Sequence, residues 1–445
     1  MRFTSSATLQ TLRGFELSPR AITIVPKAAH YRQRLLDMIA AAERRIVIVA
    51  LYLQQDEAGQ EILDALYRAK AARPVLDIVI VVDWFRAQRG LIGAGKQPGN
   101  SAWYCAERQR QGLDVPIYGV PVQTRELFGV LHLKGSVIDD CVIYSGASLN
   151  NVYLHKFDKY RLDRYHLIHS KPLADAFQGL VQHVLDSKAA NRLDLPSPPT
   201  SRSLRADIRQ LRTSLKRMAY ETFQASDSAE GLRVIPLLGV GKQNPLNRTI
   251  CQLVAASHQR LTLCTPYFNP PRVLIDEINR ALVRGVVIDI IVGDKIANDF
   301  YVPPEQPFSV SSVLPYLYEK NLRNFAQKHQ QAIAERRLNL FVWNDPGHSY
   351  HSKGIWVDER YTLLTGNNLN PRGFRLDLEN ALLIDDPKAQ WAAERDQELE
   401  QIKQHVSRVE HFDQLQAFDE YPKRVRRFLQ RVRFTRIERL LYRML

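Results

Sequence analysis

His132-Leu-Lys-Gly-Ser-Val-Ile-Asp139 and His351-Ser-Lys-Gly-Ile-Trp-Val-Asp358 share one spacing, H-x-K-x4-D. Each is followed by a similar tail, Gly146-Ala-Ser-Leu-Asn150 in one case and Gly366-Asn-Asn-Leu-Asn370 in the other. Further on, Asp163-Arg-Tyr-His-Leu-Ile168 parallels Glu379-Asn-Ala-Leu-Leu-Ile384. One such match in a chain with twelve histidines is weak evidence. Two matches with the same downstream signals mean that the chain is built from two related halves.

The apolar pattern around the motifs agrees. A helix containing Leu35, Leu36 and Ile39 leads into an apolar strand, Arg45 to Leu53. A helix from about Gln60 to Ala72 and a second strand, Val75 to Val82, follow and end at Asp83. The order recurs as a helix around Ile250 to Ala256, a strand Arg260 to Tyr267, a helix Val273 to Arg284 and a strand Val286 to Val292. Continuous Val/Ile/Leu strands alternating with helices require a sheet covered on both faces. The expected fold is α/β: two tandem domains, each a mixed sheet flanked by helices, related by a pseudo-twofold axis and sharing one active site. The boundaries read as 1–194 for the first half, 195–231 for a linker and basic helix, 232–421 for the second half and 422–445 for a basic tail.

The residue types suit attack on a phosphodiester. His and Lys two apart on a strand point to one face, so each half presents an imidazole and an ammonium to the same phosphate. Lys134, Lys353, Asn150 and Asn370 would neutralise the charge that repels a nucleophile and that grows in the transition state. One of His132 and His351 attacks phosphorus while the other protonates the leaving oxygen. A carboxylate on the far nitrogen of each imidazole would fix its tautomer; Glu379 is the candidate in one half and Asp163 its counterpart in the other. Asp139 and Asp358 are read either as catalytic or as structural acids that tie their strands down. The remaining histidines have no metal-ligand spacing, and no metal or cofactor is expected.

Composition narrows the partners. Hydrophobic residues at 45% and charged residues at 24% are ordinary for a globular chain, and no run approaches the ~18 apolar residues of a membrane span. Four scattered cysteines without a C-x-x-C pair suit a reducing compartment, and the N-terminus lacks the apolar core of a secretory signal. Of the net charge of +14, a surplus of five lies between Ser201 and Arg217 and eight between Lys423 and Leu445. The body is therefore nearly neutral, which argues against nucleic acid and for an anionic membrane surface. In the tail, Lys423, Arg424, Arg427 and Arg431 flank a stripe containing Val425, Phe428 and Leu429, and these are the candidate membrane-binding residues. A second stripe, Ile437, Leu440, Leu441 and Met444, is rotated from the first, so a bend near Phe434-Thr435 is expected. Leu204, Ile208, Leu211, Leu215 and Met218 form a comparable stripe, read equally as a packing face or a membrane face.

Paired H-x-K-x4-D motifs in a duplicated α/β chain resemble the phospholipase D superfamily. Residues 144–168 (YSGASLNNVYLHKFDKYRLDRYHLI) are similar to the phospholipase-D-type phosphatidylserine synthases of bacteria. The resemblance implies a phosphohistidine intermediate, a nucleophile from the first half and no metal. It also implies CDP-diacylglycerol and L-serine as substrates, with phosphatidylserine and CMP as products. His132 would attack the phosphorus bearing the diacylglycerol, and His351 would protonate CMP and then take the proton of serine. Lys134, Lys353, Asn150 and Asn370 would hold the phosphoryl oxygens. Where the family usually has G-S-x-N, the second copy here lacks the serine. The alternatives are another phosphatidyltransferase or phospholipase of the cardiolipin-synthase kind and, with less support, a nuclease of the same fold. The implied place of work is cytoplasmic, peripheral to the inner face of the cell membrane. Oligomeric state and serine-binding residues stay open.

Overall fold

The computed structural model describes residues 9–89, 99–221, 231–303 and 305–434. The first half runs β1 (Phe15–Glu16), β2 (Ile22–Ile24), α1 (Ala28–Ala41), β3 (Arg45–Ala50), α2 (Glu57–Ala72), β4 (Asp77–Asp83) and β5 (Ile117–Val120). It continues with β6 (Gly135–Ile138), β7 (Cys141–Ser145), β8 (Arg161–Leu162), β9 (Tyr165–His169), α3 (Lys171–Leu185) and β10 (Asn191–Arg192). Helix α4 (Arg205–Glu221) crosses to the second half, which opens with β11 (Arg233–Val240), α5 (Pro245–Ala255), β12 (Arg260–Thr265), α6 (Arg272–Val283) and β13 (Val287–Gly293). There follow β14 (Leu338–Trp343), β15 (Ser349–Tyr350), β16 (Gly354–Val357), β17 (Tyr361–Thr365), β18 (Leu378–Asp385), β19 (Val406–Val409) and finally α7 (Lys423–Phe434).

The duplication is literal. The first sheet has the order β10-β5-β4-β3-β6-β7-β9-β2, and the second has β19-β14-β13-β12-β16-β17-β18-β11, followed by β1. In both, the three strands from the helix-linked segment are parallel, and their neighbours are antiparallel. The runs Ile46 to Val49 and Ile288 to Val292, β-branched but for Asp289, are buried, as expected of strands covered on both faces. Local chemistry sets the helix starts: Asp56 accepts from Gly59 N at 2.9 Å to begin α2, and Asn244 accepts from Asn247 N at 2.8 Å to begin α5.

Two expectations need correction, and one open reading is decided. The boundary at residue 1 does not hold, because β1 pairs with β11 and Leu9 joins the second half's core. The stripe of α4 is a packing face: Leu204, Ile208, Leu211, Leu215 and Met218 are all buried in a core shared with Val234 and Leu238 of β11. The stripe of α7 is likewise occupied, since Val425 and Leu429 are buried against Val313, Tyr316 and Leu317 while Phe428 packs at its edge. Leu429 is therefore not available to a membrane. Burying both stripes on the protein removes the same apolar area from water that a bilayer would, without the cost of binding. The second stripe, Ile437 to Met444, and the bend at Phe434-Thr435 lie outside the described residues.

Leu211 is 1% exposed. The variant Leu211→Ala should lose about 2–5 kcal/mol in urea unfolding, whereas an outward-facing stripe would lose about 0.5 kcal/mol or less.

Candidate active site

Neither histidine is held by its own half alone. The segment before His132 pairs, in parallel, with the segment before Glu379: Leu131 bridges Leu378, Leu378 N donates to Val130 O at 3.0 Å, and His132 N donates to Leu378 O at 2.9 Å. The mirror arrangement joins β15 to β8 in parallel, with Tyr350 opposite Leu162 and His351 N donating to Leu162 O at 2.9 Å. Parallel register places the next residue of each strand beside the next of its partner. His132 Nδ1 therefore meets Glu379 at 2.9 Å and His351 Nδ1 meets Asp163 at 2.9 Å. The acids are exchanged between halves. The His-x-Lys segments are extended as expected, but they precede β6 and β16 instead of lying within them.

The lysine that follows each histidine is also placed from across the interface. Asn380 clamps the backbone of Lys134, accepting from its N–H at 2.8 Å and donating to its carbonyl at 2.8 Å. Arg164 donates to Lys353 O at 3.2 Å and is itself fixed by a buried ion pair with Glu398 at 2.6 Å. Sequence reasoning missed both, although each directly follows its half's acid. Lys134 and Lys353 are 1% exposed. The Lys134 ammonium reaches Ser148 Oγ at 3.4 Å, and the Lys353 ammonium reaches Asp163 at 3.4 Å and also contacts His351. A further residue missed is Tyr153, whose hydroxyl lies 3.0 Å from His351 Nδ1.

Of the two readings open for Asp139 and Asp358, the geometry favours structural acids. Both occupy the turn beyond the strand at positive φ, 49° and 51°. Asp139 accepts from the backbone N–H groups of Glu43, Arg44 and Arg45 at 2.8–3.2 Å. Asp358 accepts from those of His258, Gln259 and Arg260 at 2.8–3.1 Å. They pin β6 and β16 to the starts of β3 and β12 and do not touch the histidines. The Oδ1 atoms of Asn150 and Asn370 accept from Tyr153 N at 3.0 Å and Gly373 N at 2.9 Å. Asn370 lines the cavity described next, and Asn150 is not among its lining residues.

His132, Lys134 and His351 open onto one cavity of about 700 Å³. One part of its wall carries Arg86, Arg89, Glu126 and Arg372; another carries Arg161, Tyr267, Asp299 and Tyr318. Burial, reinforced by Lys134 and Lys353, pushes His132 well below the usual histidine range, so it is a neutral imidazole. Burial and Lys353 bring His351 down to about 4, against the upward pull of Asp163. Lys134 is pushed down to about 7 by burial and by Lys353. For Asp163 burial works upward, but Lys353 and His351 outweigh it and hold the acid at about 2. Glu379, buried beside Asp377, is instead pushed well upward. The two dyads thus differ: His351 faces a firm carboxylate, whereas His132 and Glu379 both resist charge. Among the described residues no His/Cys/Asp/Glu group is placed to hold a metal ion.

A protein-family match, described as "Cardiolipin synthase, PLD-like domain", covers residues 250–403. Over 94% of this chain and 93% of the relative, the sequence is 50% identical to the CDP-diacylglycerol–serine O-phosphatidyltransferase PssA of Escherichia coli. The crystal structure of phosphatidylserine synthase from Haemophilus influenzae superposes with a TM-score of 0.95 at 43% identity, covering 99% of this chain and 98% of that one. The chain belongs to the CDP-diacylglycerol–serine O-phosphatidyltransferases. The phospholipase-D-like resemblance and the two-sheet α/β fold expected from the sequence are therefore borne out. More distantly, the chain is 28% identical to a CDP-diacylglycerol–glycerol-3-phosphate 3-phosphatidyltransferase of Saccharomyces cerevisiae, over 83% of its length.

Were the cavity-lining ammonium of Lys134 to face the donor phosphate, alkaline pH would remove a charge that the donor needs. With Lys134 at about 7 in the empty site, kcat/KM for the donor should fall as pH rises above that value, because this parameter follows free-enzyme ionisations. The Lys134→Arg variant should be slower but lack that alkaline limb, since a guanidinium keeps its proton. An unchanged limb in the variant would assign it to another group.

Proposed function

We propose that the chain transfers the phosphatidyl group of CDP-diacylglycerol to the hydroxyl of L-serine, releasing CMP, through a phosphatidyl-histidine at His132. The observation that carries this reading is the pair of imidazoles open to one cavity, each with its Nδ1 on a carboxylate. With Nδ1–H directed at Glu379, the Nε2 lone pair of His132 is free to attack phosphorus. The bond from phosphorus to the CMP oxygen breaks as His351 supplies a proton, which it takes up once the anionic donor adds its charge to that of Asp163. Serine then gives its hydroxyl proton to His351, its oxygen bonds to phosphorus, and the bond to His132 breaks. Lys134 and Asn370, which line the cavity, hold the phosphoryl oxygens as their charge grows, and Lys353 adds positive charge from beside His351. Phosphorylation makes the His132 ring cationic, and Glu379 becomes its counter-charge.

A phosphatidyl donor makes His132→Ala and His351→Ala distinguishable. Covalent labelling by radiolabelled CDP-diacylglycerol should vanish in the first variant. The second should still label while turnover drops by about 10²–10⁴, the range for loss of one proton-transfer group. Labelling lost only in His351→Ala would reverse the two roles.

The donor is a diacyl lipid, so the reading includes work at an anionic membrane surface, on the inner face of the cell membrane. The exposed basic face of α7, with Lys423, Arg424 and Arg427, supports it; Arg431 extends that face. Each such residue near an anionic surface contributes about 1 kcal/mol, screened by salt. A triple Lys423→Glu/Arg424→Glu/Arg427→Glu variant should sediment with anionic vesicles far less than the parent at low salt. Equal sedimentation would move the contact to another face.

A further inference from the structure

The reaction needs a place for the acceptor, and the wall beside His351 has the chemistry for one. In an in-line displacement the group that leaves and the group that enters pass on the side of phosphorus opposite His132. That is the side of the second histidine, so the acceptor hydroxyl must sit against His351. Serine arrives there as a zwitterion, presenting a carboxylate and an ammonium on the same carbon. A pocket that recognises it needs one fixed cation and one fixed anion side by side.

Arg161 and Asp299 are such a pair. Arg161 Nη1 lies 3.2 Å from Asp299 Oδ2, and their side chains are 13% and 20% exposed. Arg161 is braced by Ser349 Oγ at 3.1 Å and by its stacking over Tyr153, 4.6 Å from the ring centre. Tyr267 donates to Asp299 Oδ1 at 2.8 Å. The same two tyrosines frame His351, with ring centres 5.2 Å and 6.2 Å from the imidazole. Arg161, Asp299, Tyr153, Tyr267 and His351 all line the one cavity. A carboxylate has about four acceptor sites, so the two occupied contacts leave Asp299 able to take an ammonium. Guanidinium matches a carboxylate through paired N–H donors, and Nη2 of Arg161 meets no acceptor among the described residues. Elsewhere in the wall Arg86 and Arg89 share Glu126, and Arg372 pairs with Asp377 at 3.0 Å. There the remaining donors of Arg372 go to Leu127 O and Glu126 O, and Asp377 also accepts from Val130 N, so that pair is already engaged.

We propose that Arg161 and Asp299 form the acceptor subsite, Arg161 holding the carboxylate of serine and Asp299 its ammonium, with the hydroxyl presented to His351. This rests on the phosphatidyl-transfer reading and on His132 as nucleophile. Arg161 has two duties, since the phosphate of departing CMP passes through the same space before serine enters. Asp299 has one, because nothing in CMP carries an ammonium. In the second half-reaction the serine O–H proton moves to His351, the new P–O bond forms, and the P–N bond to His132 breaks.

The test is competition for one phosphatidyl-enzyme. Full-length enzyme with CDP-diacylglycerol in mixed micelles is given serine, ethanolamine (no carboxylate) or 3-hydroxypropionate (no ammonium), and each lipid product is measured against phosphatidic acid from water. Asp299→Asn should raise the serine KM and cut the preference for serine over 3-hydroxypropionate by about tenfold or more, the value of a charge-assisted hydrogen bond. Its preference for ethanolamine over 3-hydroxypropionate should fall as well, because ethanolamine carries the ammonium that Asp299 holds and 3-hydroxypropionate does not. Arg161→Met, which keeps a stem to cover Tyr153, should instead cut the preference for serine over ethanolamine. These ratios are internal to one mixture and hold for whatever fraction of a variant is folded. If Arg161→Met leaves no active enzyme, Asp299→Asn decides alone. Unchanged ratios, or equal loss towards all acceptors, would overturn the subsite. A parent enzyme that makes no phosphatidylserine would instead overturn the transfer reading itself.

Discussion

Everything in the site depends on a pair of hydrogen bonds that cross between the halves, His132 to Glu379 and His351 to Asp163. An imidazole buried without a partner on its second nitrogen would lose its orientation and leave an unpaired polar atom, at a cost of about 1–3 kcal/mol. The fold meets that need by parallel pairing of short segments, Leu131 with Leu378 and β15 with β8. Register in these bridges is therefore register in the active site. Slipping either one by a residue would turn its acid to the opposite face.

The lysines impose the second constraint. Two ammonium groups at 1% exposure in one site repel each other and lack hydration. The structure tolerates them by keeping Asp163 ionised and by letting Lys134 fall towards neutrality. A phosphodiester entering this cavity supplies the missing negative charge, so the unfavourable charge arrangement of the empty site favours the bound one. On the phosphatidyl-transfer reading, Lys134 and Lys353 would act on charge that develops at phosphorus, in a setting where water does not dilute the interaction.

Much of this was legible in the sequence. Two H-x-K-x4-D segments with matching tails, and the repeated strand–helix order, led to the two-sheet fold, to His132, His351 and Lys134 at one cavity and to Lys353 beside His351. The acids were found as residue types, yet their exchange was not, because it depends on inter-strand pairing between segments more than 180 residues apart. Asn380 and Arg164 were hidden for the same reason: their work is on the backbone of the other half. The hydrophobic stripes of α4 and α7 were read correctly as amphipathic, but periodicity does not say what covers an apolar face. Asp139 and Asp358 show the converse, since an acid ending a strand accepts from turn N–H groups as readily as it serves chemistry.

The crossing of the acids also says something about ancestry. A single half of this kind cannot satisfy its own histidine, but two copies related by a twofold axis can satisfy each other, which is the self-complementary contact of a symmetric dimer. In such a dimer both dyads would be identical by symmetry. Joining the two copies in one chain through residues 195–231 removes that requirement. Here one dyad has Asp and the other Glu, and one lysine is placed by Arg164 and the other by Asn380. Covalent fusion permits the two histidines to take different roles, each tuned without its twin.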